Sequence, residues 1–238
     1  MSLLTKTDYY GLSSSGFEAE STSEGKTAGY TAEAQGPNGF LVAIDVGPDR
    51  QAPTVNYVAT SSVSLASVVM GSVTTINNKK VALGSLTITT SAGEPVRATA
   101  SGSQIEDNGT AHCTSTLTGI TLSSLFHAQD FGLFTVTDGQ LTNSTLSIEG
   151  NIGIAEVDGV IKASDLVGGS VKVSGTIVGV SNAGTISTPT ITVGTPGSGS
   201  SVGTGVITQP LTQENPNGDF PSYSFEITWP LKADAVTP

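Results

Sequence analysis

From Gly39 to Trp229, short segments recur in which apolar residues alternate one by one with Ser, Thr and Lys. Gly, Pro, Asn or Asp interrupts them at intervals of roughly 10 to 15 residues, the punctuation of an all-β chain. No other feature constrains the fold as strongly. Successive side chains of a strand leave opposite faces, so a period of two builds a half-buried sheet and cannot build an amphipathic helix. The pattern is sharpest near the carboxy terminus, where Tyr223, Phe225, Ile227 and Trp229 share one face and Ser224, Glu226 and Thr228 share the other. It recurs in Val55-Tyr57-Ala59, Leu86-Ile88, Val96-Ala98-Ala100, Leu146-Ile148 and Val171-Val173. Phe40-Leu41-Val42-Ala43-Ile44 is continuous instead and reads as a buried strand that stops at Gly47-Pro48-Asp49. Helical signal is confined to Ser123 to Gln129, with serine as N-cap, and to one turn at Ala163 to Leu166. The expected fold is therefore all-β: an antiparallel β-sandwich or barrel with at most one short helix.

Composition narrows the function. Only 12% of the residues are charged, so hydroxyl groups must supply most of the polar surface. Nine Lys plus Arg against twenty Asp plus Glu give a net charge of −11, which repels phosphate chains and anionic lipid and argues against a sequence reader of nucleic acid. The single Cys113 cannot close an intramolecular disulfide. No run approaches the roughly 20 apolar residues of a membrane-spanning helix, so no membrane association is expected. The start, Met1 to Lys6, is too weakly apolar for a signal peptide. Residues 1–35 read as a polar arm, carrying Glu18, Glu20, Glu24 and Glu33, that leads into the first strand. Residues 36–238 read as a single β-sandwich domain. Within it, the Gly/Ser-rich stretch near 194–205, flanked by Ile191-Thr192-Val193 and Val206-Ile207-Thr208, reads as a mobile hairpin.

Motifs that could carry chemistry have simpler readings. Gly199-Ser200-Ser201-Val202-Gly203 matches a nucleophile elbow, but it lies in a Gly/Ser tract and both histidines, His112 and His127, precede it. His112 and Cys113 are adjacent, so on a strand they face opposite ways and share no metal; Cys113 reads as half-buried and His112 as a rim residue. His127 near Asp130 sits among Leu125, Phe126 and Phe131 and reads as a core-edge histidine. Glu106-Asp107 and Glu156 with Asp158 occupy turn-rich sequence, and the calcium-loop and phosphate-loop patterns do not occur. Asn108-Gly109-Thr110 and Asn143-Ser144-Thr145 read as turn chemistry. No enzyme activity, cofactor or metal is expected.

One block carries a resemblance. Ile76-Asn77-Asn78-Lys79-Lys80-Val81-Ala82-Leu83-Gly84-Ser85-Leu86-Thr87-Ile88, the turn Ala92-Gly93-Glu94-Pro95 and the strand Val96 to Gly102 resemble the central strands of the tail tube proteins of tailed bacteriophages. The resemblance implies a structural protein of a virus particle, assembled in the host cytoplasm. It also implies self-association into hexameric rings that stack into a tube around a DNA-conducting channel, in contact with other virion proteins. Six copies would carry about −66, six times −11, so the channel would pass DNA by repulsion without reading its sequence. Glu106, Asp107, Glu149, Glu156 and Asp158 are the candidate channel-lining carboxylates, because they lie on or between expected strands. The alternative is a receptor-, glycan- or capsid-binding β-sandwich that works through its loops, as decoration or adhesin-like proteins do.

Overall fold

The computed structural model describes residues 6–28, 31–35, 37–105, 113–157, 160–180, 184–194, 200–214, 220–232 and 234. After a 3-10 turn at Leu12–Ser15 comes β1 (Phe17–Ser23), and a long excursion follows through β2 (Lys26–Ala28), β3 (Thr31–Gln35), β4 (Leu41–Val46) and β5 (Asp49–Gln51). The chain returns as β6 (Thr54–Ala59), then passes through β7 (Val63–Ser64), a second 3-10 turn at Leu65–Ser67, and β8 (Val69–Met70). Next are β9 (Val73–Ile76), β10 (Lys79–Ser91) and β11 (Glu94–Gln104), then the short β12 (Ser115–Thr116), β13 (Thr121–Leu122) and β14 (Phe134–Thr137). The longest pair, β15 (Gln140–Val157) and β16 (Val160–Val178), precedes β17 (Thr190–Val193), β18 (Val206–Gln213) and β19 (Ser222–Pro230).

One nine-stranded antiparallel sheet dominates, in the order β1-β6-β11-β10-β15-β16-β19-β18 with β9 also paired to β10. Its inner face carries the alternating apolar residues read from the sequence: Val55 and Tyr57, Leu86 and Ile88, Ala98 and Ala100, Leu146 and Ile148, Val171 and Val173, Phe225 and Trp229 are all buried. Against it pack Leu12, Leu65, Met70, Leu117, Ile120, Phe131 and Phe134, from 3-10 turns, loops and the two-stranded pairs β7–β13, β8–β12 and β14–β17. The result is an all-β, sandwich-like arrangement. At the β9–β10 hairpin Asn77 and Asn78 have φ of 50° and 61°, the left-handed pair that a two-residue turn between right-twisted strands requires and that asparagine tolerates.

Three expectations change. Tyr10, Leu12, Phe17 and Ala19, all within the stretch read as an arm, belong to the core, and β1 pairs with β6 from Phe17 to Ser23. The Asp8 carboxylate explains why the amino-terminal segment stays docked: it accepts hydrogen bonds from Tyr57 Oη (2.7 Å), Ser13 N (2.8 Å) and Leu12 N (3.2 Å). The expected hairpin near 194–205 is not one, because β17 pairs with β14 and β18 with β19. Residues 195–199 lie outside the described residues, and Ser201 and Val202 beyond them are buried. Ser123 to Gln129 forms bends, not a helix. Ser123 donates from both N and Oγ to Gln129 Oε1, and Gln129 N donates to Thr90 Oγ1, so side-chain bonds hold the backbone in a non-helical path.

Candidate functional site

The length of β15 and β16 has a direct consequence. β15 pairs with β10 only from Asn143 to Glu149, and β16 pairs with β19 only from Ser170 to Val178. Beyond that level the ladder runs only between the two strands, so they leave the sheet as a ribbon. At 3.3 Å per residue, the eight residues from Gly150 to Val157 extend it by about 26 Å. β9 takes the edge of β10 that β15 vacates. Leu166 is buried at the ribbon's root, and Ser164, opposite Ile154, is buried part-way along it. Asn151 pairs with Gly168 and Ile152 with Leu166, which leaves Val167 bulged outward and 70% exposed.

A second ribbon stands beside the first. β2–β5 and β3–β4 continue the β1–β6 pair outward. Since β1, β11 and β15 run in one direction and β6, β10 and β16 in the other, both ribbons project from the same end of the sheet. An Arg50–Glu156 ion pair joins them. Phe40 (75% exposed), Leu41, Ile44 and Val46 on one ribbon, and Ile154, Val157, Val160 and Val167 on the other, present large apolar side chains to solvent. The reading of Phe40 to Ile44 as a buried strand is thereby corrected: its hairpin extends past the body, which leaves Phe40, Leu41 and Ile44 exposed. Asp158-Gly159, set between Val157 and Val160, was the overlooked hairpin signal; both residues lie outside the described set.

The remaining predicted residues scatter. Glu149 is exposed on the outer face of the sheet, beside a shallow groove of about 290 Å³ lined by Gly84, Ser85, Ser101, Gly102 and Asn151. Glu156 is committed to Arg50. Glu106, Asp107 and Asp158, together with His112 and the Asn108 sequon, lie outside the described residues. Cys113 is half-buried and its N donates to Asp165 Oδ1 at 2.7 Å; burial and then the Asp165 carboxylate push its thiol pKa up. His127, expected at the core edge, is exposed. Ser201 Oγ donates to the Thr118 carbonyl, and Asn143 sits in β15, not in a turn. No group of three or more His, Cys, Asp or Glu that could hold a metal occurs among the described residues.

The outer face differs in character from the ribbon end. Thr87, Thr99, Ser147 and Thr228 stand there with Asn56 and Lys172 in one cross-strand row. Its two cations are locally answered: Arg97 pairs with Glu20, and Lys172 Nζ lies 3.3 Å from Glu226. A hydrogen bond from Thr208, opposed by slight desolvation and assisted by Lys172, holds the Glu226 carboxyl below its ordinary pKa. Comparison with known protein families and with curated proteins finds no match for this chain.

Proposed function

We propose that this protein is a binding module of a virus particle, a β-sandwich that seats its ribbon end on a protein surface of the assembly. The observation that carries the reading is the coincidence of two ribbons at one end, tied by Arg50 and Glu156, with eight exposed large apolar side chains between them. Large apolar side chains left exposed together at one end of a sheet mark an interaction site. An open ladder edge on each ribbon adds backbone groups that can pair with a partner strand. A membrane fits this end poorly, because the chain carries a net charge of −11. Virus provenance rests on the resemblance carried by residues 76–102. The test is a photo-crosslinking residue placed at Phe40 or Val157, with Thr87 and Thr145 on the outer face as controls, in the assembled particle. Polypeptide adducts from the first pair and not from the second are expected; adducts only from the outer face would overturn the reading.

The outer face favours a second reading, the tube subunit. A sheet surface of Ser, Thr and Asn, with its cations in ion pairs and Glu149 exposed on it, suits a channel wall that DNA passes without adhering. Electron microscopy of concentrated protein would support this reading by showing tubes with a central channel, and would count against it by showing only discrete particles.

A further inference from the structure

The fork at which the first ribbon leaves the sheet has little stiffness of its own. Gly150 pairs there with Gly169 and Asn151 with Gly168, so three of the four residues at the root bring no side chain to pack across the strands. The next residue outward, Val167, is bulged, and backbone pairing alone leaves a compliant joint. Two segments remote in sequence meet across it. On the sheet side, Leu231 N donates to the Gly169 carbonyl at 3.0 Å, and a Cβ at Gly169 would stand only 2.8 Å from Leu231 Cδ2. Lys232 N donates to the Ser201 carbonyl at 2.8 Å, and the Lys232 carbonyl accepts from Ser115 Oγ at 2.6 Å. Asp234 N donates to the Thr114 carbonyl at 2.6 Å, while its Oδ2 accepts from Thr116 N at 2.8 Å and from Thr116 Oγ1 at 2.7 Å. On the ribbon side, Cys113 N donates to Asp165 Oδ1 at 2.7 Å, and Asp165 pairs with Gly153, beyond the bulge. β12 pairs with β8 only at Ser115 and Thr116; past that pairing, Thr114 is held by Asp234, which keeps Cys113 within reach of the ribbon.

We infer that residues 113–116, with Leu231, Lys232 and Asp234, act as one brace across the Val167 joint and set the resting angle of the ribbon, Asp165 and Asp234 being its positioning residues. The brace starts on the sheet side of the bulge, at Gly169, and ends on the ribbon side, at Asp165, so it bridges the place where the ladder is weakest. Its part in binding rests on the docking reading above: a braced ribbon presents Ile154, Val157 and Val160 in one orientation before a partner arrives, which reduces the ordering that binding must impose. The mechanical role needs no partner and stands apart from that reading.

Native-state hydrogen exchange of the full chain, read on the amides of residues 151–155 and 163–168, tests the brace. Asp165→Ala and Asp234→Ala should each speed exchange there at least about threefold, while the amides of β10 and β11 keep their wild-type rates. Both carboxylates act on one brace, so the double variant should exceed the faster single variant only slightly. Asp165→Asn keeps an acceptor at Oδ1 and should stay near wild type. Asp130→Ala removes a carboxylate that accepts from Gly132 N near the opposite end of β10, and should leave the ribbon amides unchanged. Circular dichroism checks that each variant is folded. Unchanged ribbon exchange in both alanine variants would overturn the inference. So would effects that multiply in the double variant, or a rise spread evenly over β10 and β11. Photo-crosslinking from Val157 in the assembled particle then reads the part in docking, where Asp165→Ala should lower the yield several-fold. An unchanged yield despite faster exchange overturns that part; absence of ribbon crosslinks from the wild type overturns the docking reading and leaves the brace standing.

Discussion

Gly205 lies against the indole of Trp229, and replacing it with alanine probes how tightly this part of the core is built. A Cβ at Gly205 would stand 2.5 Å from Trp229 Cε2 and 2.6 Å from Cδ1, about 1 Å inside the ordinary 3.5–4.0 Å separation of carbon atoms. Gly205 is not among the glycines of positive φ, so the effect is steric and carries no backbone strain. Trp229 has little room to retreat, because it is fully buried and its cross-strand partner Val171 is too. Overpacking of this kind costs about 1–3 kcal/mol, and partial displacement of the largest core side chain adds to it, so Gly205→Ala should lose about 3 kcal/mol. Trp229→Val removes the five-membered-ring atoms that the new methyl would strike. It also removes Nε1, a buried donor with no hydrogen-bond partner, so part of the lost packing is offset. In that background the alanine should cost about 1 kcal/mol or less, a coupling near 2 kcal/mol in a double-mutant cycle. Urea unfolding of the four proteins followed by far-ultraviolet circular dichroism measures the cycle. Trp229 is the only tryptophan, so its fluorescence independently tracks the two proteins that keep it. A Gly205→Ala protein within about 0.5 kcal/mol of wild type, or costs that simply add, would show that the indole is not confined as described.

Other expectations follow from the same geometry. Burial opposes ionisation of Asp8, but hydrogen bonds from Ser13, Tyr57 and Leu12 outweigh it and hold the carboxyl below its ordinary value of 3.8. Its contribution is therefore present above that value and disappears as pH falls through the lower folded one. Asp8→Asn should cost about 1 kcal/mol at about pH 6, allowing for its partial exposure, and thermal unfolding of the two proteins should converge in acid. Ser144 Oγ lies 2.7 Å from Thr90 Oγ1 and donates to the Gln129 carbonyl. Ser144→Ala should lose about 1–3 kcal/mol by orphaning buried groups, read as a shift in the urea midpoint at unchanged slope. At the β9–β10 turn, Asn78→Gly should be neutral or stabilising, while Asn78→Val should lower the melting temperature, because a β-branched residue resists φ of 61°.

What the sequence disclosed follows from where each residue is buried. The period of two located the inner face correctly at β6, β10, β11, β15, β16 and β19, because one side of each strand is packed and the other wet. Periodicity failed where no such contrast exists. Phe40 to Ile44 looks like core because its residues are apolar, yet exposure is decided by how far the β3–β4 hairpin outreaches its neighbours, which is a tertiary fact. Tyr10 and Phe17 were hidden by the serines and glutamates around them, although their burial needs only one face. The second layer was also difficult to foresee, since two-residue strands such as β7 and β13 leave almost no pattern.

The fork at which β15 parts from β10 gives the molecule a mechanical division. Backbone pairing beyond it is confined to two strands, interrupted by the unpaired Val167 and by Lys162, which is left out between Ala163 and Ile161. Such bulges concentrate twist and bending, so the outer ribbon can change its angle while the nine-stranded sheet keeps its register. Its amides should exchange with solvent through local opening at a small fraction of the free energy needed to unfold the body. Force or misalignment arriving at the tip is then absorbed within a few residues of Gly150, and the packed interior around Trp229 is spared.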